Sequence, residues 1–247
     1  VPHAGEASAG GRPAERRRLR ARLSRRSLAV VAGLAAALGV VAWVALGTSV
    51  LGVRTVDVVG AGHVSAAEVR AAVDVPSGFP LARVDPAAVQ ARVGAIPAVR
   101  DVTVERRFPR TLVVSIVERT AVAVASVRDS GLTYVDAEGV AFAPAPATAA
   151  RGKTALPVLA AVEGDARTAA AAVVGGLPSG LQKRVVRVEA RTPDSVTLQL
   201  RSGHSVVWGD VERPQRKAQV LVALMTAVKD AKTYDVSAPD APTTRTT

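Results

Sequence analysis

The chain has 247 residues, a formal charge of +11, no cysteine and only 3% aromatic side chains. Without cysteine no disulfide can brace it, so its core must rest on burial alone, chiefly of Val, Leu and Ala. The charge is uneven: residues 1–26 hold eight arginines against two glutamates, a net +6, and the other +5 is spread thinly over the rest. So dilute a surplus with so few aromatics argues against a nucleic-acid groove.

Ser27 to Val53 is a run of 27 residues without a charged side chain. About 20 apolar residues cross a bilayer as a helix, so the run predicts one transmembrane helix over residues 28–51, preceded by a basic, disordered tail over 1–27. A signal peptide shares this layout, but its apolar stretch runs about 7–15 residues, which favours a retained anchor. The arginines before the run and the lone Arg54 just after it place the N-terminus in the cytoplasm and the rest outside. The tail is also suited to anionic headgroups. Gly33, Ala37 and Gly39 allow close approach of another membrane helix. Val1 points to a nonstandard start codon and leaves the start residue open.

After the anchor, Val53, Val56, Val58 and Val59 read as a strand ending at Gly60. Ser65 and Glu68 stand at capping-box spacing before a short amphipathic helix containing Val69, Ala72 and Val73. Asp85 and Pro86 open a second helix, with Val89, Val93 and Ile96 on one face, and Pro97 closes it. From Val99 the period becomes two. Val102 and Val104, then Leu112, Val114 and Ile116, alternate with outward positions around a connection at Arg106–Arg110. The order β-α-α-β-β makes one compact unit over residues 53–120.

Further on, 121–127, 132–135 and 140–142 read as short strands, with Asp136–Gly139 as a turn. Residues 143–153 read as an exposed loop. Asp165 is placed to cap a helix that stops at Gly175-Gly176. Residues 185–188, 196–200 and 205–208 read as strands, the last two joined by a turn at Ser202-Gly203. Pro214 opens a helix with Leu221, Leu224, Met225 and Val228 on one face, and Tyr234–Ser237 forms a final strand. The expected fold is therefore α+β: a transmembrane helix, the first unit, then a mixed, mostly antiparallel β-domain over 121–238 with a C-terminal helix and an edge strand. Residues 239–247, rich in Pro and Thr, read as a disordered tail.

A search for chemistry finds little. His3, His63 and His204 have no second ligand at metal-binding spacing, and no G-x-S-x-G elbow, Walker loop or G-x-G-x-x-G occurs. No catalytic, cofactor-binding or metal-binding residue is assigned. Paired carboxylates meet only in three dimensions, so Asp57, Glu68, Asp85, Asp101, Glu105 and Glu118 stay open as candidates, each with an ordinary explanation as a cap or an outward strand residue. Protein contact is the role left for a tethered β-rich module. Its physical route is edge pairing, and the best edge is Thr233–Ala238, with Tyr234 as an amphipathic anchor.

The ordered set Val56-Asp57-Val58-Val59-Gly60, Ser65-x-x-Glu68-Val69, Pro97-x-Val99 and Arg107-Phe108-Pro109-Arg110-Thr111-Leu112 resembles the POTRA domain of the FtsQ/DivIB cell-division proteins. Val117-Glu118-Arg119, Tyr134-Val135-Asp136-x-x-Gly139-Val140-x-Phe142, Leu156-Pro157-Val158-Leu159, Gly203 with Val206-Val207-Trp208-Gly209, Lys217, and Tyr234-Asp235-Val236 continue the resemblance to about residue 244. Ala121 stands where the family often has Pro, and Phe108 where Trp is commoner; neither removes a group the fold needs. With 27 Arg against 5 Lys and heavy Ala usage, the chain looks like a high-GC Gram-positive member.

The resemblance implies a non-enzymatic, single-pass scaffold of the division machinery, enriched at the septum. It would bind the small single-span proteins FtsB and FtsL and link septal peptidoglycan synthesis to constriction, without cofactor, nucleic acid or small-molecule substrate. It implies partner-binding residues at Arg191, Thr233, Tyr234, Asp235, Val236 and Ser237, flanked by the helix from Gln215 to Lys229. A second docking edge would lie at Thr103, Val104 and Glu105. The alternatives are a membrane-anchored envelope enzyme acting on peptidoglycan, which carboxylates converging in a deep cleft would favour, and a secretion factor, which usually has several POTRA units and a β-barrel.

Overall fold

The computed structural model describes residues 25–47, 51–127, 131–152, 154–160 and 164–246. The expected basic tail lies outside these residues up to position 24. Helix α1 spans Arg25–Gly47. Its segment Ser27–Val44 is long and apolar enough to cross a membrane, and none of it is buried inside the protein. Leu28, Leu34 and Trp43 all stand exposed, a distribution suited to lipid rather than to a protein core and consistent with a single transmembrane span.

The chain then enters strand β1 (Thr55–Val59), helices α2 (Ala66–Val73) and α3 (Pro86–Gly94), and strands β2 (Val99–Arg107) and β3 (Thr111–Glu118), in the expected order. The caps act as the sequence predicts. Ser65 Oγ accepts from the N–H of Glu68 at 3.1 Å, and Asp85 Oδ1 from Ala87 at 3.0 Å with Pro86 in the first turn. The sheet order is β1-β3-β2, with β3 parallel to β1 and antiparallel to β2. Val69, Val73, Leu81, Val93, Leu112 and Val114 form a closed aliphatic core. Val113, expected to face outward, is buried too; β3 is central, and Val113 has Asp57 and Glu105 as cross-strand neighbours.

The second part builds a mixed sheet of nine short strands. These are β4 (Ala123–Val127), β5 (Gly131–Val135), β6 (Ala141–Pro144), β7 (Val158–Ala160), β8 (Val185–Glu189), β9 (Val196–Leu200), β10 (Ser205–Gly209), β11 (Thr233–Asp235) and β12 (Thr243–Arg245). Their spatial order is β12-β11-β10-β9-β8-β7-β4-β5-β6. Pairing is antiparallel except at β4/β7, β7/β8 and β10/β11. Helices α4 (Gly164–Gly176) and α6 (Pro214–Ala227) lie side by side on the sheet, and the short α5 (Ser179–Gln182) leads into β8. Ala170, Val174, Leu198, Trp208 and Leu221 are central to one continuous core.

Four expectations change. Residues 143–153, read as a loop, contain the end of β6 and a 3-10 turn at Ala147–Ala150. Val158–Ala160 is a strand that joins β4 to β8 in parallel. Asp165 lies in the first turn of α4, suited to the positive helix end, instead of before it. Residues 239–247 are not a disordered tail through their described length: Thr243–Arg245 turns back and pairs antiparallel with β11.

Candidate functional site: two sheet edges and the junction between them

The strand expected to be a free edge is paired on both sides. Thr233, Tyr234 and Asp235 face Ser205, Val206 and Val207 of β10, and on the other side Arg245, Thr244 and Thr243 of β12. Tyr234 is therefore no surface anchor. Its ring is 1% exposed, meets His204 edge-on at 5.8 Å, and its hydroxyl donates to the carbonyl of Val228 at 2.8 Å. A buried tyrosine needs a partner for its O–H, and the end of α6 supplies it. Val236 is likewise fully buried, with its N–H donating to Val207 at 2.9 Å. Asp235 Oδ1 accepts from the N–H and hydroxyl of Ser237 at 3.0 and 2.7 Å, which turns the chain after β11.

Arg191 is exposed in the loop after β8 and lies three strands away from β11, so the structure does not bring it to Tyr234. Its loop does share an end of the sheet with Ser237. Gly209, at φ +79°, lets both approach: a Cβ there would lie 2.9 Å from Ser237 Cβ and 3.9 Å from the Asp194 carbonyl. Behind β10, the buried Lys217 donates to the carbonyl and carboxylate of Asp210 at 3.0 and 2.6 Å. That bond and the Lys217 charge hold the Asp210 carboxyl below its ordinary range. The pair fixes the start of α6 against the end of β10.

The outer side of β12 carries no strand among the described residues, so it is one edge of this sheet, β6 being the other. It is short, and Thr243, Thr244 and Arg245 are exposed, half-buried and exposed in turn.

In the three-stranded sheet β2 also lies at an edge. Thr103 and Glu105 are exposed on it, while Val104 points into the core. A bulge between Val99 and Asp101 breaks its register, and Arg100 there reaches Glu138 of the second part at 3.1 Å.

Arg119 joins the two parts, and Glu118 beside it braces the first; the sequence offered Glu118 as a candidate carboxylate and Arg119 as part of the Val117-Glu118-Arg119 element, and revealed neither role. The Glu118 carboxylate accepts from the N–H groups of Gly62, His63 and Val64 at 2.7, 3.0 and 2.9 Å. The backbone bonds, from Gly62 above all, hold its carboxyl down at about 2 against the opposing effect of partial burial. Arg119 donates through Nε to Pro97 at 3.2 Å and binds the buried Asp136 with its guanidinium. Burial works against the charged form of Asp136, but Arg119 and the N–H of Val140, 2.8 Å away, outweigh it and keep the carboxyl below its usual range.

A cleft of about 570 Å³ beside this junction is lined by His63, Glu68, Glu118, Arg119, Tyr134 and Phe142, among others. Two of the candidate carboxylates thus share a cleft, but Glu118 is bound to three N–H groups and stays ionised, which unfits it as a proton donor near neutral pH. Asp85 is committed to its cap, and Asp101 to the N–H of Val102 at 2.8 Å. Among the described residues no three His, Asp or Glu side chains gather as a metal site.

Comparison with known proteins follows the same division of the chain. A family model described as POTRA domain, FtsQ-type, matches residues 51–119, and one described as Cell division protein FtsQ/DivIB, C-terminal, matches residues 123–238. A Streptomyces bingchenggensis protein named Cell division protein FtsQ is 40% identical over 240 residues, covering 91% of this chain and 88% of its own. A Streptomyces coelicolor protein of that name is 33% identical over 246 residues, covering 93% and 91%. The one from Mycobacteroides abscessus is 39% identical over 199 residues, and this match spans only 63% of its length.

Proposed function

Since the chain belongs to the FtsQ/DivIB family of cell-division proteins, we propose that it is a non-enzymatic scaffold of the bacterial division machinery, anchored by α1 with its N-terminus in the cytoplasm. Residues 53–120 and 121–238 act as two domains outside the membrane. The second binds FtsB-like and FtsL-like single-span proteins by strand addition at the C-terminal end of its sheet, and so links septal peptidoglycan synthesis to constriction.

The observation that carries this reading is the way the nine-stranded sheet ends, on the backbone donors and acceptors of β12, whose neighbour β11 packs against α6. Val222 stands exposed on that helix as an apolar flank. Thr233, Asp235 and Ser237 contribute through the backbone of this end, Tyr234 and Val236 by holding it from beneath, and Arg191 as a basic flank in the neighbouring loop. The β2 edge at Thr103–Glu105 is a secondary docking strand.

A fluorescent fusion of the full chain is expected to collect at mid-cell, and affinity purification to bring down two small single-span proteins. A fusion spread evenly around the cell, with neither protein recovered, would rule the reading out.

A further inference from the structure

We propose that the end of the first domain next to α1 is a docking surface for the membrane itself: its arginines meet anionic phospholipid headgroups, and the exposed rings of Phe79 and Phe108 enter the boundary between headgroups and acyl chains. This goes beyond the partner-binding reading and shares with it only the placement of α1 in a bilayer.

Three segments distant in sequence meet at this end. Gly52 bridges to Pro80, and the Val53 N–H donates to the Phe79 carbonyl at 2.8 Å. The next residue, Arg54, donates its N–H to the Arg110 carbonyl at 2.9 Å, and the Arg106 guanidinium donates to the Val84 carbonyl at 2.7 and 3.0 Å. Helix α1 contacts the 3-10 turn Leu81–Arg83. In register, Thr55 of β1 and Arg107 of β2 both stand opposite Thr111, so Phe108 and Pro109 project past that row, on the side from which the chain arrives. The hairpin tip and the turn thus flank the point where the chain passes from the anchor into the domain.

What these segments carry suits a membrane–water interface. Residues 51–56, 78–84 and 106–112 hold five arginines (Arg54, Arg83, Arg106, Arg107 and Arg110) and no aspartate or glutamate. Asp57 and Glu105 stand back from the tip, one on each side of Val113, and Asp85 is committed to its cap. The chain has only three phenylalanines, and two of them are here, Phe79 39% and Phe108 58% exposed, while the core of this domain is wholly aliphatic. Rings left outside such a core contribute little to folding but suit the headgroup level, and a guanidinium forks onto phosphate oxygens. Each basic side chain near an anionic surface strengthens adsorption, and α1 holds this end beside that surface.

The full chain is prepared with Trp43→Phe and Phe108→Trp, which leaves the buried Trp208 as a constant background, and is placed in lipid nanodiscs. The lipid is phosphatidylcholine alone, or phosphatidylcholine and phosphatidylglycerol in equal parts, with acyl chains brominated near the headgroup so that they quench an indole entering the boundary. A Trp43→Phe/Thr120→Trp chain, its probe exposed past the far end of β3, is the reference.

With phosphatidylglycerol present, the probe at 108 is expected to lose most of its fluorescence and to shift to shorter wavelength, while the probe at 120 does neither. Arg54→Gln, Arg83→Gln and Arg107→Gln together remove three exposed charges and keep Arg106 bonded to Val84. They should lower the ratio of docked to undocked chain on the order of a hundredfold, with unchanged thermal melting. Raised salt should act in the same direction on the chain that keeps its arginines, which settles the role of charge without any change to them. Absence of quenching at 108, equal quenching at 108 and 120, or quenching as strong in phosphatidylcholine alone or at high salt overturns the proposal. A chain that does not enter the nanodiscs overturns it too, by removing the anchor, whereas a loss of docking alone leaves the partner reading standing.

Discussion

Two of the molecule's sheet edges, β2 and β12, are protected by different means. β2 runs nine residues along an open side and carries Arg100, Asp101, Glu105, Arg106 and Arg107, whereas β12 has three residues and a single charge, Arg245. A long edge invites another strand, and charge with a bulge makes it a poor template. A short edge needs no such defence, because it gains too few hydrogen bonds to hold a chance partner. The smaller domain is thus guarded by electrostatics, and the larger by brevity. Only the second kind of protection is lifted by a partner that brings its own length.

The largest break in this contrast comes from beneath β11. Tyr234→Ala empties a buried ring site and should cost about 4 kcal/mol, loosening β11 and β12 while β2 keeps its protection. Tyr234→Phe loses only the hydroxyl bond to Val228 and should cost about 1 kcal/mol. Thermal melting gives the magnitudes and amide exchange their location. Equal exchange at both edges in the Ala variant would contradict the assignment.

Next in size is the joint. Arg119→Ala leaves Asp136 buried and unpaired, at about 3 kcal/mol, and should free the two domains to turn against each other. Small-angle scattering would register a wider spread of shapes; an unchanged profile would mean that the bridge does not hold the domains.

Acid should act where shifted carboxylates hold the fold: Glu118 in the first domain, Asp136 at the joint and Asp210 beside α6. The folded Glu118 carboxyl titrates at about 2 against an ordinary 4.5, so its contribution is fully present above 4.5 and is lost as pH falls through 2. Asp136 and Asp210 are shifted the same way and add to the slope. Glu118→Gln should make stability less dependent on pH across that window, measured by denaturant titration at a series of pH values. A slope equal to that of the unmodified chain would remove Glu118 from this role.

The smallest change in stability belongs to β2. Glu105→Thr with Arg107→Thr, both exposed, should shift stability by no more than about 0.5 kcal/mol. The pair should nevertheless drive association as concentration rises, seen by light scattering. A monomeric variant would show that charge is not what guards this edge.

The first domain was legible because its signals are local. Ser65 and Asp85-Pro86 cap helices whatever surrounds them, and β2 and β3 are long enough to show a period of two. β7 and β12 have three residues each, too few to display any period, and they are strands only because β4, β8 and β11 offer partners. The Pro- and Thr-rich composition around β12 reads as disorder for the same reason. Tyr234 was read as an anchor from its amphipathic chemistry; what the sequence hid is that its hydroxyl finds a carbonyl within its own chain, six positions earlier. Asp136 reads correctly as a turn residue, but its burial depends on Arg119, which only the tertiary fold brings near.

The connection after α1 has one further consequence. Helix α1 ends at Gly47, and by Val53 the chain is already bonded to the first domain, its N–H to Phe79 and its carbonyl to Gly78, both at 2.8 Å. Six residue steps span at most about 20 Å, so with α1 in a bilayer the domain is leashed within that distance of the surface. A partner carried on its own membrane helix meets it in a thin two-dimensional layer, where tethering by short linkers raises local concentration to the millimolar range. Contacts too weak to survive dilution in a test tube become lasting there, so an edge three residues long is sufficient for two proteins that never leave the same membrane.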